Sequence, residues 1–119
     1  MSSHHVAVCG VLMALLLVAC DRKDAAAPPR PQQLVGKWLG PEATYLEITQ
    51  VAGRYTVHIR NLDGVRSFPA ELVADGLSFQ RDGVPEVIRA TDGKGTGMKW
   101  LADKSDCLGI RPGEGYCRN

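Results

Sequence analysis

Beyond residue 34, apolar and polar side chains alternate in short runs, and glycine-centred turn signals separate the runs. Tyr45-Leu46-Glu47-Ile48-Thr49-Gln50 and Tyr55-Thr56-Val57-His58-Ile59-Arg60 both follow a period of two. That period puts alternate side chains on opposite faces of a β-strand. Asp-Gly recurs four times, at Asp63-Gly64, Asp75-Gly76, Asp82-Gly83 and Asp92-Gly93. Both residue types tolerate positive φ, so each pair predicts a tight hairpin turn. No stretch sustains the 3.6-residue apolar period of a sizeable helix.

The first hairpin can be set in register. With Ala52-Gly53 as a two-residue loop, Val51 faces Arg54, Thr49 faces Thr56, Glu47 faces His58 and Tyr45 faces Arg60. The other side then joins Gln50 to Tyr55, Ile48 to Val57 and Leu46 to Ile59. This register separates an apolar face from a polar one, and a slip of one residue would mix them. Further strands are expected at Arg66–Val73, Leu77–Arg81, Glu86–Thr91 and Gly97–Ala102, the last with Met98 and Trp100 on one face. A final pair is expected near Cys107–Ile110 and Gly115–Arg118. Pro69 lacks an N–H and points to an edge or bulge in its strand. The predicted fold is all-β, an antiparallel meander of about seven or eight strands that protects its edges as a barrel or a sandwich. The folded domain is expected over 34–119.

The first 20 residues differ in kind. All 14 Lys and Arg and all 13 Asp and Glu lie after them. Val6–Cys20 is a 15-residue run without charge. It is shorter than the roughly 20 residues a membrane-spanning helix needs and matches the apolar region of a signal peptide. The run ends in Leu17-Val18-Ala19-Cys20, which resembles the lipobox of bacterial lipoprotein precursors. The resemblance implies cleavage before Cys20, a signal peptide over 1–19, and a diacylglycerol thioether on the Cys20 sulfur with acylation of the freed amine. Each buried CH₂ then contributes about 0.8 kcal/mol, and two or more chains make a stable anchor in the bilayer. The segment Met1-Ser2-Ser3-His4-His5 departs from the family pattern in lacking Lys or Arg, and the alternative is an ordinary secretory signal in which Cys20 is incidental. Asp21 resembles the residue that retains enteric lipoproteins in the inner membrane. The proline-rich stretch Asp21–Gln33 carries no large apolar residue and reads, with Cys20, as a flexible tether over 20–33. Its thirteen residues reach at most about 45 Å.

Gly36-Lys37-Trp38, at the start of the first strand, is similar to the opening Gly-x-Trp of lipocalins and other calycins. There the Trp plugs one end of a barrel against an Arg of the last strand. The resemblance implies that role for Trp38, with Arg118 or Arg111 as its partner. An interior filled by side chains is expected for so small a barrel.

Of the four cysteines, Cys9 falls in the segment to be removed and Cys20 in the anchor. Cys107 and Cys117 remain, an even pair in a secreted domain, and a structural disulfide between them is expected. A metal site or a redox pair is the alternative, and two cysteines without a neighbouring His argue against zinc.

The net charge of +1 argues against a nucleic-acid partner. No cofactor or metal is expected. His58 is the sole histidine of the mature chain, and Ser67, Ser78 and Ser105 lie in no nucleophile motif. Gly93-Lys94-Gly95-Thr96-Gly97 lacks the Ser or Thr directly after Lys that a phosphate loop requires and reads as a hairpin loop. Asp103-Lys104-Ser105-Asp106 reads as a solvated turn. The expected function is a non-enzymatic binding or interaction module, tethered to a bacterial membrane and facing the periplasm. A calycin-like small-ligand binder is the alternative, and an envelope hydrolase using His58 a third reading.

Overall fold

The computed structural model describes residues 30–119. The expected signal peptide, Cys20, Asp21 and the expected tether up to residue 29 lie outside the described residues. A single helical turn, α1 (Pro31–Leu34), leads into eight strands: β1 (Gly36–Leu39), β2 (Tyr45–Val51), β3 (Arg54–Asn61), β4 (Gly64–Val73), β5 (Gly76–Arg81), β6 (Val84–Thr91), β7 (Cys107–Arg111) and β8 (Glu114–Cys117). Each strand pairs antiparallel with the next, and β8 returns to β1 through Leu39↔Cys117, closing a barrel in strand order. Closure removes most of the free edge that an open sheet would expose, although β1 and β8 share that one pair only.

Alternation along each strand builds the core. Trp38 on β1, Leu46 and Ile48 on β2, Tyr55, Val57 and Ile59 on β3, and Phe68 and Ala70 on β4 all point inward. Leu77 and Phe79 on β5, Ile88 on β6, Leu108 on β7 and Tyr116 on β8 complete the interior. Leu34 of α1 caps it. The β2–β3 register matches the sequence-derived one at every position from Tyr45↔Arg60 to Val51↔Arg54.

Turn chemistry is more varied than four Asp-Gly hairpins. Ala52-Gly53 and Asp82-Gly83 are two-residue loops with both φ values positive, 51° and 77° in the first and 54° and 79° in the second. The β3–β4 and β4–β5 loops are instead Leu62-Asp63 and Ala74-Asp75, because Gly64 and Gly76 already pair as strand residues with Asn61 and Val73. Gly76 has a packing reason as well, since a Cβ there would overlap the carbonyl oxygen of Ile88. Asp92-Gly93 opens no hairpin; it starts a long excursion between β6 and β7.

That excursion corrects the strand expected at Gly97–Ala102. Residues 94–96 and 99–101 form two turns of 3-10 helix. The Thr96 hydroxyl donates to Gly93 O at 2.6 Å and accepts from Met98 N at 3.1 Å, and Gly97 is left-handed with φ 73°. These local bonds outcompete a ladder. Met98 and Trp100 therefore do not share a strand face: Met98 packs inward, and Trp100 is 78% exposed.

Pro69 sits inside the barrel wall rather than at its edge. Below Ala70, β4 pairs with β3; above it, β4 pairs with β5; Ala70 alone partners both Tyr55 and Phe79. The ladder to β5 begins one residue after Pro69, so the missing N–H interrupts nothing.

The antiparallel order gives the barrel two distinct ends. One, the entry end, holds α1, the tips of the β2–β3 and β4–β5 hairpins, the two ends of the excursion 92–106 and the C-terminal residues. The middle of the excursion runs along the wall to the β7–β8 turn, where Gly113 N donates to Thr96 O at 2.8 Å. The far end holds the loops at 40–44, 61–64, 81–84 and 111–114.

Candidate functional site

An open groove of about 900 Å³ lies in the barrel wall. It starts at the β2–β3 hairpin and crosses β4 to β5. Tyr55, Ala70 and Phe79, neighbours across three strands, form its apolar base. Gln50, Arg54, Glu71, Ser78 and Gln80 supply polar groups around it, and half-exposed Leu72 adds apolar surface. The lining draws on both faces of β4, which follows from the change of partner strand at Ala70. An apolar base with a polar rim suits a partner that brings both kinds of surface.

The far end of the interior is closed by charge. Glu86, two residues before Ile88 on the inward face of β6, is buried. Its carboxylate accepts a bond from Arg111 and lies 3.6 Å from Arg81. Arg81 in turn makes two 2.7 Å bonds to Glu114, whose carboxylate accepts the Tyr116 hydroxyl at 3.4 Å. The two guanidiniums and two carboxylates balance. Glu114 raises the pKa of Arg81, and burial, with Glu114 beside it, pushes the Tyr116 phenol well above its ordinary value. This network holds the barrel bottom shut and orders it. Sequence reasoning missed it. The signal was present in parity: Arg81 follows Phe79 by two, and Glu86 precedes Ile88 by two, so both charges fall on core positions.

At the entry end, the Arg118 guanidinium lies 3.7 Å from the centre of the Trp38 ring. It also donates to Val35 O at 3.3 Å and Gln33 O at 2.5 Å, and its Nε lies 3.5 Å from Asp106. The Trp38 indole N–H donates to Leu34 O at 3.0 Å. A cleft of about 290 Å³ lies here, lined by Gln33, Leu34, Trp38, Ala90, Asp106, Leu108 and Arg118. Arg111 stands at the opposite end, on Glu86.

Cys107 and Cys117 are cross-strand partners on β7 and β8 and form a disulfide. They project outward, away from the main core, and Leu101 with Met98 covers them. Thr96, fully buried, packs against Gly115 where a Cβ would collide with it. The loop Gly93–Gly97 thus serves as a cover for β7 and β8. The turn Asp103–Asp106 is tied to the C-terminus, with Asn119 Oδ1 accepting from Ser105 N at 3.3 Å and Asp106 N at 3.1 Å.

His58 faces Glu47 across β2–β3 and Ser67 across β3–β4. Its Nδ1 is 2.7 Å from Ser67 Oγ and its Nε2 is 3.3 Å from Thr49 Oγ1. The second nitrogen thus meets a hydroxyl where a catalytic triad would place a carboxylate. The cluster lies on the convex outer wall, with Ser67 exposed. Ser78 lines the groove and Ser105 lies in the C-terminal tie. Among the described residues, no three His, Cys, Asp or Glu side chains converge as a metal site would require. No described helix is long and apolar enough to cross a membrane.

No family model, no curated protein and no solved structure matches this chain.

Proposed function

We propose that the chain is a lipid-anchored protein of a bacterial envelope, facing the periplasm, whose barrel is a non-enzymatic interaction module that receives a partner protein in the β2–β5 groove. Support for the anchor comes from Leu17-Val18-Ala19-Cys20 at the end of an uncharged run. Asp21 favours the inner membrane. The observation that carries the module reading is the contrast between a barrel filled by its own side chains and an open groove of about 900 Å³ in its wall. A small-ligand carrier encloses its cargo, whereas a shallow groove with an apolar base and a polar rim accepts protruding side chains of another protein.

Photo-crosslinking in native membranes tests this. A crosslinkable residue at Gln80 or Glu71, in the groove, is expected to yield a discrete adduct of fixed mass. The same residue at Arg60, on the wall made by β2 and β3, is expected to yield none. Equal labelling from both walls contradicts the reading.

A second reading keeps one specific observation: the Trp38–Arg118 stack beside the 290 Å³ cleft at the entry end. It favours a calycin-like binder of a small ligand, which would enter between Leu34 and Leu108. Native mass spectrometry of protein released gently from membranes separates the two, since a carrier retains a small bound molecule.

A further inference from the structure

We propose that the entry end of the barrel, led by Trp100, rests on the lipid bilayer to which the chain is anchored. The inference deepens the anchored-lipoprotein reading and rests on it. Trp100 is the most exposed large apolar residue of the described chain, at 78%. Its neighbour Leu101 turns inward onto the disulfide, which fixes the short 3-10 turn and commits Lys99 and Trp100 to the outside. Lys99 and Lys94 are exposed in the same excursion and Lys104 is half-exposed, and the exposed Asp92, Asp103 and Asp106 balance their charge. An exposed indole on a rigid support matches the amphipathic side chains that settle at the headgroup level of membranes.

Connectivity puts this surface beside the tether. Arg118 bonds Gln33 of α1 and takes up Asp106, while the Asn119 side chain donates to the Ser105 hydroxyl at 2.5 Å. Lys104 N donates to Leu101 O at 2.9 Å. A short chain of direct contacts therefore runs from α1 to the Trp100 turn. Cys20 and Arg30 are ten residues apart, a distance of at most about 35 Å. The tether thus joins the barrel at its entry end, and the anchor lies within that distance of α1.

The test uses the full lipidated protein, reconstituted into vesicles of phosphatidylcholine and phosphatidylglycerol with brominated acyl chains. Trp38 is buried in the barrel, so Trp100 is the indole within reach of the quencher. The wild type is expected to shift its emission to the blue and to lose about half its intensity relative to unbrominated vesicles, as an interfacial indole does. Trp100→Phe is expected to show neither change while still floating with the vesicles. Equal quenching of wild type and Trp100→Phe, both vesicle-bound, overturns the docking and leaves the anchor standing. Protein that stays in the aqueous fraction with an unmodified Cys20 overturns the anchor, and the docking with it. Shielding of Trp100 in native membranes but not in protein-free vesicles assigns this face to a protein and overturns the lipid contact.

Discussion

Tyr116 stands where the apolar interior gives way to the charged far end. Its ring belongs to the core and its hydroxyl leans on Glu114. Burial and the neighbouring carboxylate both favour the neutral phenol, so the folded protein holds this proton above the ordinary value of 10.0. Below that pH, folded and unfolded chains both keep the proton, and the group's contribution to stability is fully present. Above it, the unfolded chain releases the proton while the folded one retains it, and stability falls as pH rises toward the raised folded value. Urea midpoints measured from pH 8 to 11 are expected to fall more steeply for the wild type than for Tyr116→Phe; superimposable pH profiles would contradict this. Asp75 and Asp82 show the opposite displacement, held below the usual carboxylate range by Arg89 and Arg66. Both are exposed surface pairs, which salt screens.

At the scale of elements, β7 and β8 depend most on a single link. They are short strands, and β8 meets β1 at only one position. The disulfide ties them at the entry end, with the excursion laid over it. Closing a loop of about 11 residues contributes roughly 2.5–3 kcal/mol. A Cys107→Ser, Cys117→Ser double variant is expected to lose about that much in urea unfolding at pH 7. Its early loss of amide protection is expected in Cys107–Cys117 and 93–101, whereas β2 to β4 stay protected. Uniform loss across all strands would show that the link does not act locally. The sequence pattern reads well where one strand's alternation is met by its neighbour's, as in β2–β3, because parity and a loop with two positive φ values fix the register together. It reads poorly at 97–102. Met98 and Trp100 mimic a strand's alternation there, but Thr96 diverts the backbone into 3-10 turns. That outcome depends on Gly115, a distant residue that leaves room for Thr96.

For the molecule as a whole, the antiparallel meander was legible in the spacing of runs and turns, and a partner strand for Cys107 in the position of Cys117, whereas its closure as a barrel and not a sandwich was not. The groove was not. It arises because β3 and β5 exchange along β4 at Ala70, a matter of barrel shear that no local pattern records. The charged closure at Arg81, Glu86, Arg111 and Glu114 was hidden for a different reason: charged residues at core parity look like strand ends until their partners are known. The account that joins these parts has the barrel held at a membrane by its entry end, with its groove turned to an envelope partner. That account rests on Cys20. The measurement that tests it most directly is metabolic labelling with palmitate, followed by fractionation of envelopes from cells making wild-type protein or Cys20→Ala. The account predicts a labelled, processed, membrane-bound wild type and an unlabelled, unprocessed Cys20→Ala variant. Label and membrane association that persist in Cys20→Ala would contradict it.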